Sequence, residues 1–268
     1  MLCVADISLF EEYIYCMQTR KIIFYNQKGG VGKTTVAVNL GSVLAAKGYK
    51  VLLIDFDAQV NLTHSVSGDG RKANIYQVVT GQIDAKDAVQ STIFKNLYLI
   101  PGSLDVAGLA IELVDEDKRE SFLKNALKDI ENEYDFILLD CPPSLGLETV
   151  NALAWCEEVI IPLQCEYLAM EGLNLIMRTV SNAKKGFNPN IKVLGILFTM
   201  FSKRAKLNQE VIDDISEFFP DLVFKTIIPR NTRLAEAPSH GLPINYYDKS
   251  SKGSKSFEML AQEVIDRG

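Results

Sequence analysis

The fold of this chain is decided by the stretch Lys28-Gly29-Gly30-Val31-Gly32-Lys33-Thr34-Thr35. Its glycines let successive backbone N–H groups turn inward around an anion, because no side chain blocks the approach. Lys33 supplies a positive charge to the β- and γ-phosphates of a nucleotide, and the Thr34 hydroxyl is placed to ligate Mg²⁺. A strand-like run, residues 21–25, precedes the loop, and a helical run, residues 34–47, follows it. The stretch therefore predicts a phosphate-binding loop whose helix points its N-terminus at the anion.

The same loop carries an additional lysine, Lys28, and lacks the first glycine of the usual G-x-x-x-x-G-K-[ST] pattern. One nucleotide hardly needs two lysines from one loop, so we expect Lys33 to bind phosphate within its own subunit. Lys28 is then available to reach a second nucleotide in a facing subunit. This arrangement resembles the deviant Walker A ATPases, in which this lysine acts across a dimer that encloses two ATP molecules. The alternative is a solvated lysine beside an ordinary loop.

The bulk composition is that of a globular α/β domain. The 268 residues suffice to bury a large core. The sequence contains no run of 18 uncharged apolar residues, so it predicts no membrane span. Five cysteines, an odd number without a C-x-x-C pair, predict reduced thiols in a cytosol rather than a disulfide framework or a zinc site. We expect one domain over residues 20–268. Residues 1–19 are expected to be an extension, either a short helix or an over-long start with Met17 as the initiator.

Charge is distributed unevenly along the chain. The formal net charge is −6, yet residues 172–209 contain seven Lys or Arg and no Asp or Glu, which leaves −13 for the remainder. A second zone, residues 225–257, has six Lys or Arg against two acids. Such asymmetry predicts one face that attracts polyanions while the rest of the surface repels them. The alternative is a set of scattered, solvated side chains.

Strand-like apolar runs alternate with helical runs, a pattern typical of a mostly parallel central sheet flanked by helices on both faces. We therefore expect a single doubly wound α/β domain of the P-loop NTPase class, with ligands at the carboxyl ends of the strands. The predicted strands are residues 21–26, 51–55, 97–101, 136–140, 159–163, 193–199 and 224–228. The predicted helices include residues 34–47, 119–133, 168–184, 208–219 and 254–266.

Three aspartates follow predicted strands and fit the chemistry of a nucleotide. Asp55 and Asp57 end one buried strand, and Asp140 ends another. Asp57 is placed to reach the γ-phosphate and orient a water for in-line attack, while Asp55 lies deeper, near the metal shell. Asp140 matches the Walker B role, in which a carboxylate holds Mg²⁺ through a coordinated water. The alternative for Asp55 and Asp57 is a pair of helix-capping or loop aspartates.

Four strings, residues 26–35, 52–59, 140–146 and 227–241, resemble the motifs of the ParA/Soj chromosome- and plasmid-partitioning ATPases, in that family's order. The resemblance runs from about residue 20 to the end of the chain. It implies a Mg²⁺-dependent ATPase in which Lys28, Lys33 and Asp57 act in hydrolysis. The metal residues are then Thr34, Asp55 and Asp140. The resemblance implies that Pro229 and Asn231 lie beside the adenine. The full set of nucleotide-binding residues that it implies is Lys28, Gly29, Gly30, Val31, Gly32, Lys33, Thr34, Thr35, Pro229 and Asn231.

The resemblance also implies a switch that uses DNA, in the cytoplasm and on the nucleoid. Lys28 closes an ATP-bound homodimer, and the dimer binds non-specific DNA through phosphate contacts, so binding is expected to be salt-sensitive. A ParB-type centromere-binding partner then stimulates slow hydrolysis and releases the DNA. Arginines matching Arg204 and Arg233 bind DNA in the family. The predicted DNA-binding set within the two basic zones is Arg204, Arg233, Lys203 and Lys206.

One departure from the family concerns the loop after Asp57. The family often has D-P-Q-G-N where this chain has Asp57-Ala58-Gln59-Val60-Asn61. We therefore expect this loop to differ in stiffness.

Other functions stay open from the sequence alone. A ParA-like positioner of another cargo, such as a chemosensory array or a microcompartment, would use the same site and DNA. A MinD-like membrane-cycling ATPase requires a basic amphipathic C-terminal helix, whereas residues 257–268 carry three acids and one arginine. A reductase like the nitrogenase iron protein needs two cluster-binding thiolates per subunit, for which Cys141 and Cys165 are candidates. A nucleotide-sensing scaffold without hydrolysis is the last alternative, and Asp57 argues against it.

Overall fold

A sheet of seven strands runs through the middle of the computed structural model, which describes residues 18–268. The strands are β1 (Arg20–Phe24), β2 (Val51–Asp55), β3 (Gln90–Ser91), β4 (Leu97–Ile100), β5 (Phe136–Asp140), β6 (Glu158–Gln164) and β7 (Lys192–Thr199). Their order across the sheet is β3-β4-β2-β5-β1-β6-β7, and every neighbouring pair is parallel except β3 with β4. Of the predicted extension, residues 1–17 lie outside the described residues.

Helices cover both faces of the sheet. The α-helices are α1 (Lys33–Ala46), α2 (Asn61–Ser65), α3 (Ile75–Val79), α4 (Ala85–Ala88), α5 (Leu109–Glu112), α6 (Phe122–Leu127), α7 (Leu147–Trp155), α8 (Ala169–Gly186), α9 (Lys206–Phe218), α10 (Thr232–Glu236), α11 (Ile244–Tyr247) and α12 (Lys252–Asp266). Short 3₁₀ turns occupy Leu104–Gly108, Arg119–Ser121, Glu131–Glu133 and Ala237–His240.

Two hydrophobic cores lie on opposite sides of the sheet, because alternate residues of a strand point to opposite faces. Ile22 and Leu53 pack in the core that also contains α1 and α12. Ile23 and Ile54, one residue further along each strand, pack in the core that contains α7 and α8. The predicted doubly wound α/β fold is confirmed.

The predicted strand at residues 224–228 is wrong. At the two ends of this segment, Phe224 N–H and Ile228 N–H each donate to a carbonyl of β7 at 2.9 Å. Between them, the N–H groups of Lys225 and Thr226 donate instead to the carboxylate of Glu263 on α12, at 2.7 and 2.9 Å. A charged acceptor forms stronger hydrogen bonds than a carbonyl, so the ladder is interrupted, and isolated bridges at Val223 and Pro229 flank the segment.

The predicted helix at residues 119–133 is broken into a 3₁₀ turn, α6 and another 3₁₀ turn. In a continuous helix, Leu123 N–H would donate to Arg119 O, four residues earlier. The side chain of Asn151 bonds to both groups: its Oδ1 accepts Leu123 N–H at 3.1 Å, and its Nδ2 donates to Arg119 O at 2.8 Å. The first of these breaks arises because an inserted amide takes over both halves of one helical bond.

The apolar face of α12 is buried in the sheet's core. Phe257, Leu260, Ala261 and Val264 have no exposed surface and pack with α1. A membrane-binding helix needs such a face free to enter lipid, so this packing argues against the MinD-like alternative for this helix. No helix among residues 18–268 is long and apolar enough to cross a bilayer.

Candidate nucleotide-binding site

The candidate site lies at the carboxyl edge of three central strands. Phe24 at the end of β1 pairs in register with Asp140 at the end of β5, and Asp55 at the end of β2 pairs with the same Asp140. The loop of residues 25–32 leaves β1 at this edge and leads into α1. Parallel register therefore brings together three motifs that are far apart in the sequence.

The loop presents backbone donors at the start of α1. Gly30 and Gly32 have φ angles of 75° and 94°, which L side chains rarely adopt. Gly32 caps α1, no side chain caps the helix, and no acidic residue lies in its first turn. The first N–H groups of a helix have no partner within it, and their dipole attracts negative charge. The loop therefore has the geometry of an anion site.

Side chains at the ends of two strands hold two carbonyls of the loop, and a side chain of the loop itself holds one N–H. Thr199 Oγ1 donates to Val31 O at 2.8 Å, and Gln164 Nε2 donates to the preceding carbonyl at 3.1 Å. Asn26 Oδ1 accepts Lys28 N–H at 2.9 Å. Sequence reasoning gave Thr199 and Gln164 no role, although a polar residue at the end of an apolar strand was a usable signal. These bonds fix the backbone of the loop at three points.

The two lysines of the loop lie in different environments. Lys33 is buried, and its Nζ donates to Asn26 O and Lys28 O at 2.9 and 3.2 Å. Burial lowers the pKa of Lys33, while the charge of Asp140 acts in the opposite direction. The Lys28 side chain is 56 % exposed and forms an ion pair with Glu166, outside the loop. Lys33 thus lies among the backbone groups of the loop, which we call the cradle, while the side chain of Lys28 points out of it.

Asp140 and Thr34 form a pair that fits Mg²⁺. Thr34 Oγ1 donates to Asp140 Oδ2 at 2.5 Å, and Asp140 has no exposed surface. Its other oxygen, Oδ1, is buried without a hydrogen-bond partner among residues 18–268. Burial raises the pKa of Asp140 well above its usual range, and the charge of Asp55 adds to the rise. An unpaired buried carboxylate oxygen is costly, and a metal-bound water would satisfy it.

The carboxylates of Asp55 and Asp57 bind different groups. Asp55 is fully buried, and its Oδ2 accepts the N–H and the hydroxyl of Thr63 at 2.8 and 2.6 Å. Burial raises the pKa of Asp55 to about 6. Asp57 is nearly buried, and its Oδ1 accepts Gln59 N–H at 3.0 Å. Asp55 therefore anchors α2 through Thr63, and its predicted place near the metal stays a prediction.

A cavity of about 300 Å³ opens beside the start of α1. Its walls include Thr35, Pro229 and Asn231, all three predicted to bind the nucleotide. Asn231 also caps α10, because its Oδ1 accepts Arg233 N–H at 2.8 Å. Mostly apolar walls with a few polar groups suit a nucleobase. Lining residues that sequence reasoning did not single out are Met200, Ile228, Leu234 and Phe257.

The residues predicted to bind DNA lie on two adjoining segments of the surface. A backbone bond of 3.0 Å from Arg230 N–H to Phe201 O joins these segments. Arg233 forms surface ion pairs with Glu236 at 2.9 Å and with Asp248 at 3.5 Å. The exposed set is Lys203, Arg204 and Lys206 after β7, and Arg233 on α10.

The basic residues of 172–209 are divided between the two ends of β7, so the expectation of a single basic face stays a prediction. Lys192 begins β7, where it pairs with Glu158 at 3.0 Å, and Lys184 lies in the last turn of α8. Residues 203–206 follow the opposite end of β7. The eight residues of this strand span roughly 25 Å, so β7 separates the charges onto two edges of the sheet.

A buried Walker B aspartate bonded to the loop threonine, with a second loop lysine outside the cradle, defines a P-loop ATPase of the deviant Walker A class. A family model described as an AAA domain matches residues 19–193. The chromosome-partitioning ATPase Soj of Treponema pallidum is 49 % identical over 92 % of this chain and 98 % of its own length. The sporulation initiation inhibitor protein Soj of Bacillus subtilis is 46 % identical over the same shares. The chain belongs to the ParA/Soj family of partitioning ATPases.

Solved structures support the nucleotide and the metal. The cobyrinic acid a,c-diamide synthase of Mycobacterium smegmatis, with a bound ATP analogue and magnesium, has a TM-score of 0.82 to this chain. The two are 34 % identical, over 92 % of this chain and 94 % of that one. ATP and Mg²⁺ are the predicted cofactors, and they are confirmed. The roles of individual residues stay predictions.

The loop after Asp57 contains a β-branched residue in a left-handed backbone conformation. Val60 has a φ of 57°, and its N–H donates to Asp57 O at 2.9 Å. The family string D-P-Q-G-N has glycine here, which adopts this conformation without a steric penalty. With valine, the Cβ atom crowds the following carbonyl, at a cost of roughly 1–2 kcal/mol. Val60 therefore introduces backbone strain beside Asp57, and the expected difference in stiffness stays a prediction.

At position 60, glycine should give a higher free energy of unfolding than alanine. We expect Val60→Gly to be about 1 kcal/mol more stable than Val60→Ala. Both variants remove the branched side chain, but only glycine also removes the Cβ atom. The measurement is urea unfolding of the nucleotide-free protein, followed by circular dichroism. Equal stability of the two variants would contradict the strain.

Proposed function

We propose that the chain is a partition switch that uses DNA as its track, in the cytoplasm and on the nucleoid. An ATP-bound homodimer binds non-specific DNA, and hydrolysis stimulated by a ParB-type centromere-binding partner releases it. Repeated cycles segregate a chromosome or a plasmid. The observation that carries this proposal is the separation of the two loop lysines, one buried within the cradle and one exposed outside it.

Lys28 has no place in the cradle of its own subunit, because Lys33 already lies there. Its backbone is fixed by Asn26, while its side chain reaches Glu166 in an exposed ion pair. Exposed pairs contribute only about 0–1 kcal/mol, so Lys28 can leave Glu166 at little cost. The multiply charged phosphates of a nucleotide in a facing subunit are a stronger partner for a lysine. This exchange makes dimerisation depend on ATP.

In hydrolysis, Asp57 orients the attacking water from the loop that follows β2. Lys33 balances phosphate charge from within the cradle, and the N–H groups at the start of α1 hold the phosphate oxygens. Thr34, and Asp140 through a water, with Asp55 nearby, would hold Mg²⁺, which when bound would supply further positive charge at the β- and γ-phosphates. NTPases that rely on positioning alone turn over slowly. A partner that completes this positioning would therefore control the release step.

The DNA contact is made by the exposed lysines and arginines after β7 and on α10. Within residues 18–268, Lys203, Arg204 and Lys206 form no ion pair with an acid. Arg233 pairs with two acids at the surface, which solvent and salt weaken. A dimer presents two copies of this set, so its avidity for a phosphate backbone exceeds that of a monomer. ATP is thereby linked to DNA binding.

The reductase alternative conflicts with the burial of its candidate ligand. A cluster shared between subunits needs thiolates that can reach the surface. Cys141 has no exposed surface, and burial raises the pKa of its thiol well above the ordinary value. A neutral, enclosed thiol of this kind is a packing residue.

Lys28→Ala should abolish dimers that depend on ATP, while each monomer still binds the nucleotide through Lys33 and the loop. Sedimentation velocity with and without AMPPNP measures the dimer, and a fluorescent ATP analogue measures nucleotide binding. The matched control is Lys47→Ala, an exposed lysine at the end of α1. Dimers of wild-type affinity in the Lys28 variant would refute its action across the interface.

Asp57→Ala should lower the rate of ATP hydrolysis by about a hundredfold, because the attacking water loses the group that orients it. The ATP-bound dimer should then stay on DNA after dilution into competitor. Phosphate release and a competition assay measure the two effects. The control is Asp84→Ala, an exposed aspartate far from the loop. Unchanged turnover in the Asp57 variant would remove Asp57 from the mechanism.

Charge reversal after β7 or on α10 should weaken DNA binding and leave ATP binding intact. We expect Arg204→Glu and Arg233→Glu each to lose about tenfold in affinity for a non-specific duplex, with a smaller dependence on salt. A mobility shift with ATP, with ADP and without nucleotide measures this at two salt concentrations.

The control is Lys184→Glu, an equal charge change at the far end of α8. Equal weakening by all three variants would show that net charge, not these two segments, sets the affinity. Failure of the wild-type protein to bind DNA in any nucleotide state would refute the DNA track itself.

A further inference from the structure

Two residues at the end of β6, Gln164 and Glu166, contact the phosphate loop. Gln164 Nε2 donates to Gly30 O at 3.1 Å. Two residues later, Glu166 forms the ion pair with Lys28. We name residues 164–166 the connector. Any change in the position of Lys28 or of the loop backbone therefore acts directly on the connector.

The connector also contacts the segment that carries the exposed lysines and arginine after β7. Asn208, in the first turn of α9, donates from its Nδ2 to Cys165 O at 2.7 Å. The Oδ1 atom of the same side chain accepts Ser202 N–H at 2.9 Å. We name residues 202–206 the basic loop, and Ser202 is its first residue. One amide group thus joins the middle of the connector to the first residue of the basic loop.

A cavity of about 250 Å³ separates the connector from the basic loop. Its walls include Cys165, Glu166, Ser202 and Asn208. The space leaves both segments room to shift, and the bonds of Asn208 bridge it. Asn208 is the direct link between the connector and the basic loop; a second path runs through the sheet, where Gln164 pairs with Thr199 and donates to Met200 Sδ at 2.7 Å.

We propose that Asn208 is a positioning residue that couples the nucleotide state of the phosphate loop to the basic loop. When Lys28 leaves Glu166 for a partner's nucleotide, the connector loses one of its two anchors on the phosphate loop. The connector then shifts, and Asn208 carries the shift to the Ser202 backbone. The basic loop is thereby arranged for DNA only in the ATP-bound dimer. The part that concerns DNA rests on the function proposed above.

The sharpest variant is Asn208→Asp. Aspartate keeps an acceptor for Ser202 N–H but has no N–H to donate to Cys165 O, so it retains the local turn and cuts the link to the connector. Its added negative charge is matched by Gln209→Glu, at the neighbouring exposed position of α9. Thermal unfolding of both variants checks that the fold is kept.

Two measurements distinguish the coupling role of Asn208 from the proposed DNA-binding function. Hydrogen exchange of residues 201–206, with AMPPNP and without nucleotide, reports the link without any DNA. We expect AMPPNP to change exchange there in the wild type and in Gln209→Glu, and not in Asn208→Asp. In the mobility shift, the ratio of affinities with ATP and with ADP should fall about tenfold in Asn208→Asp, a typical size for allosteric coupling, with ATP affinity unchanged.

Each outcome is decisive for one of the two ideas. If Asn208→Asp keeps the wild-type response in exchange and in the affinity ratio, the coupling role is wrong and the DNA track stands. If the wild type binds no DNA, the proposed function fails, and hydrogen exchange still decides the coupling. Equal loss of DNA affinity with ATP and with ADP would show that Asn208 only shapes the loop, which also overturns the coupling.

Discussion

The structure depends on one buried carboxylate. Asp140 is enclosed at the end of β5, where a charge is tolerated only if it is paired and hydrogen-bonded. Thr34 satisfies one of its oxygens, and the charge of Lys33 offsets part of the cost. The other oxygen has no partner among the described residues. The parallel register of β1, β2 and β5 thus builds a polar centre that is complete only with a cation.

The central strands could be predicted because their signal is local. Residues 51–55 and 136–140 are continuous apolar runs that end in aspartate, and the structure has strands with these same bounds. Residues 224–228 carry a similar apolar pattern, but Glu263 on α12 captures two of their N–H groups. Asn151 similarly takes over a bond of the predicted helix at residues 119–133. A distant side chain that intercepts backbone donors leaves no trace in a local pattern.

The candidate site divides in the same way. The glycines, Lys33 and Thr34 are neighbours in the sequence and match the pattern of a phosphate-binding loop, so this loop could be predicted from the sequence. The distribution of the basic residues could not, because charge counting ignores that β7 carries Lys192 and residues 203–206 to opposite edges of the sheet. The contacts of Asp55 with Thr63 and of Asn208 with Cys165 were also hidden, since each depends on tertiary placement.

The strength of the contacts around the loop explains how such a switch can be reversible. Lys33 and Asp140 at the centre of the site are buried and hydrogen-bonded, which restricts their movement. The contact that must change, between Lys28 and Glu166, is half exposed and therefore weak. Because little free energy is stored in that pair, it opposes neither the formation nor the loss of the proposed dimer. In the proposed switch, the presence of the γ-phosphate therefore decides the state.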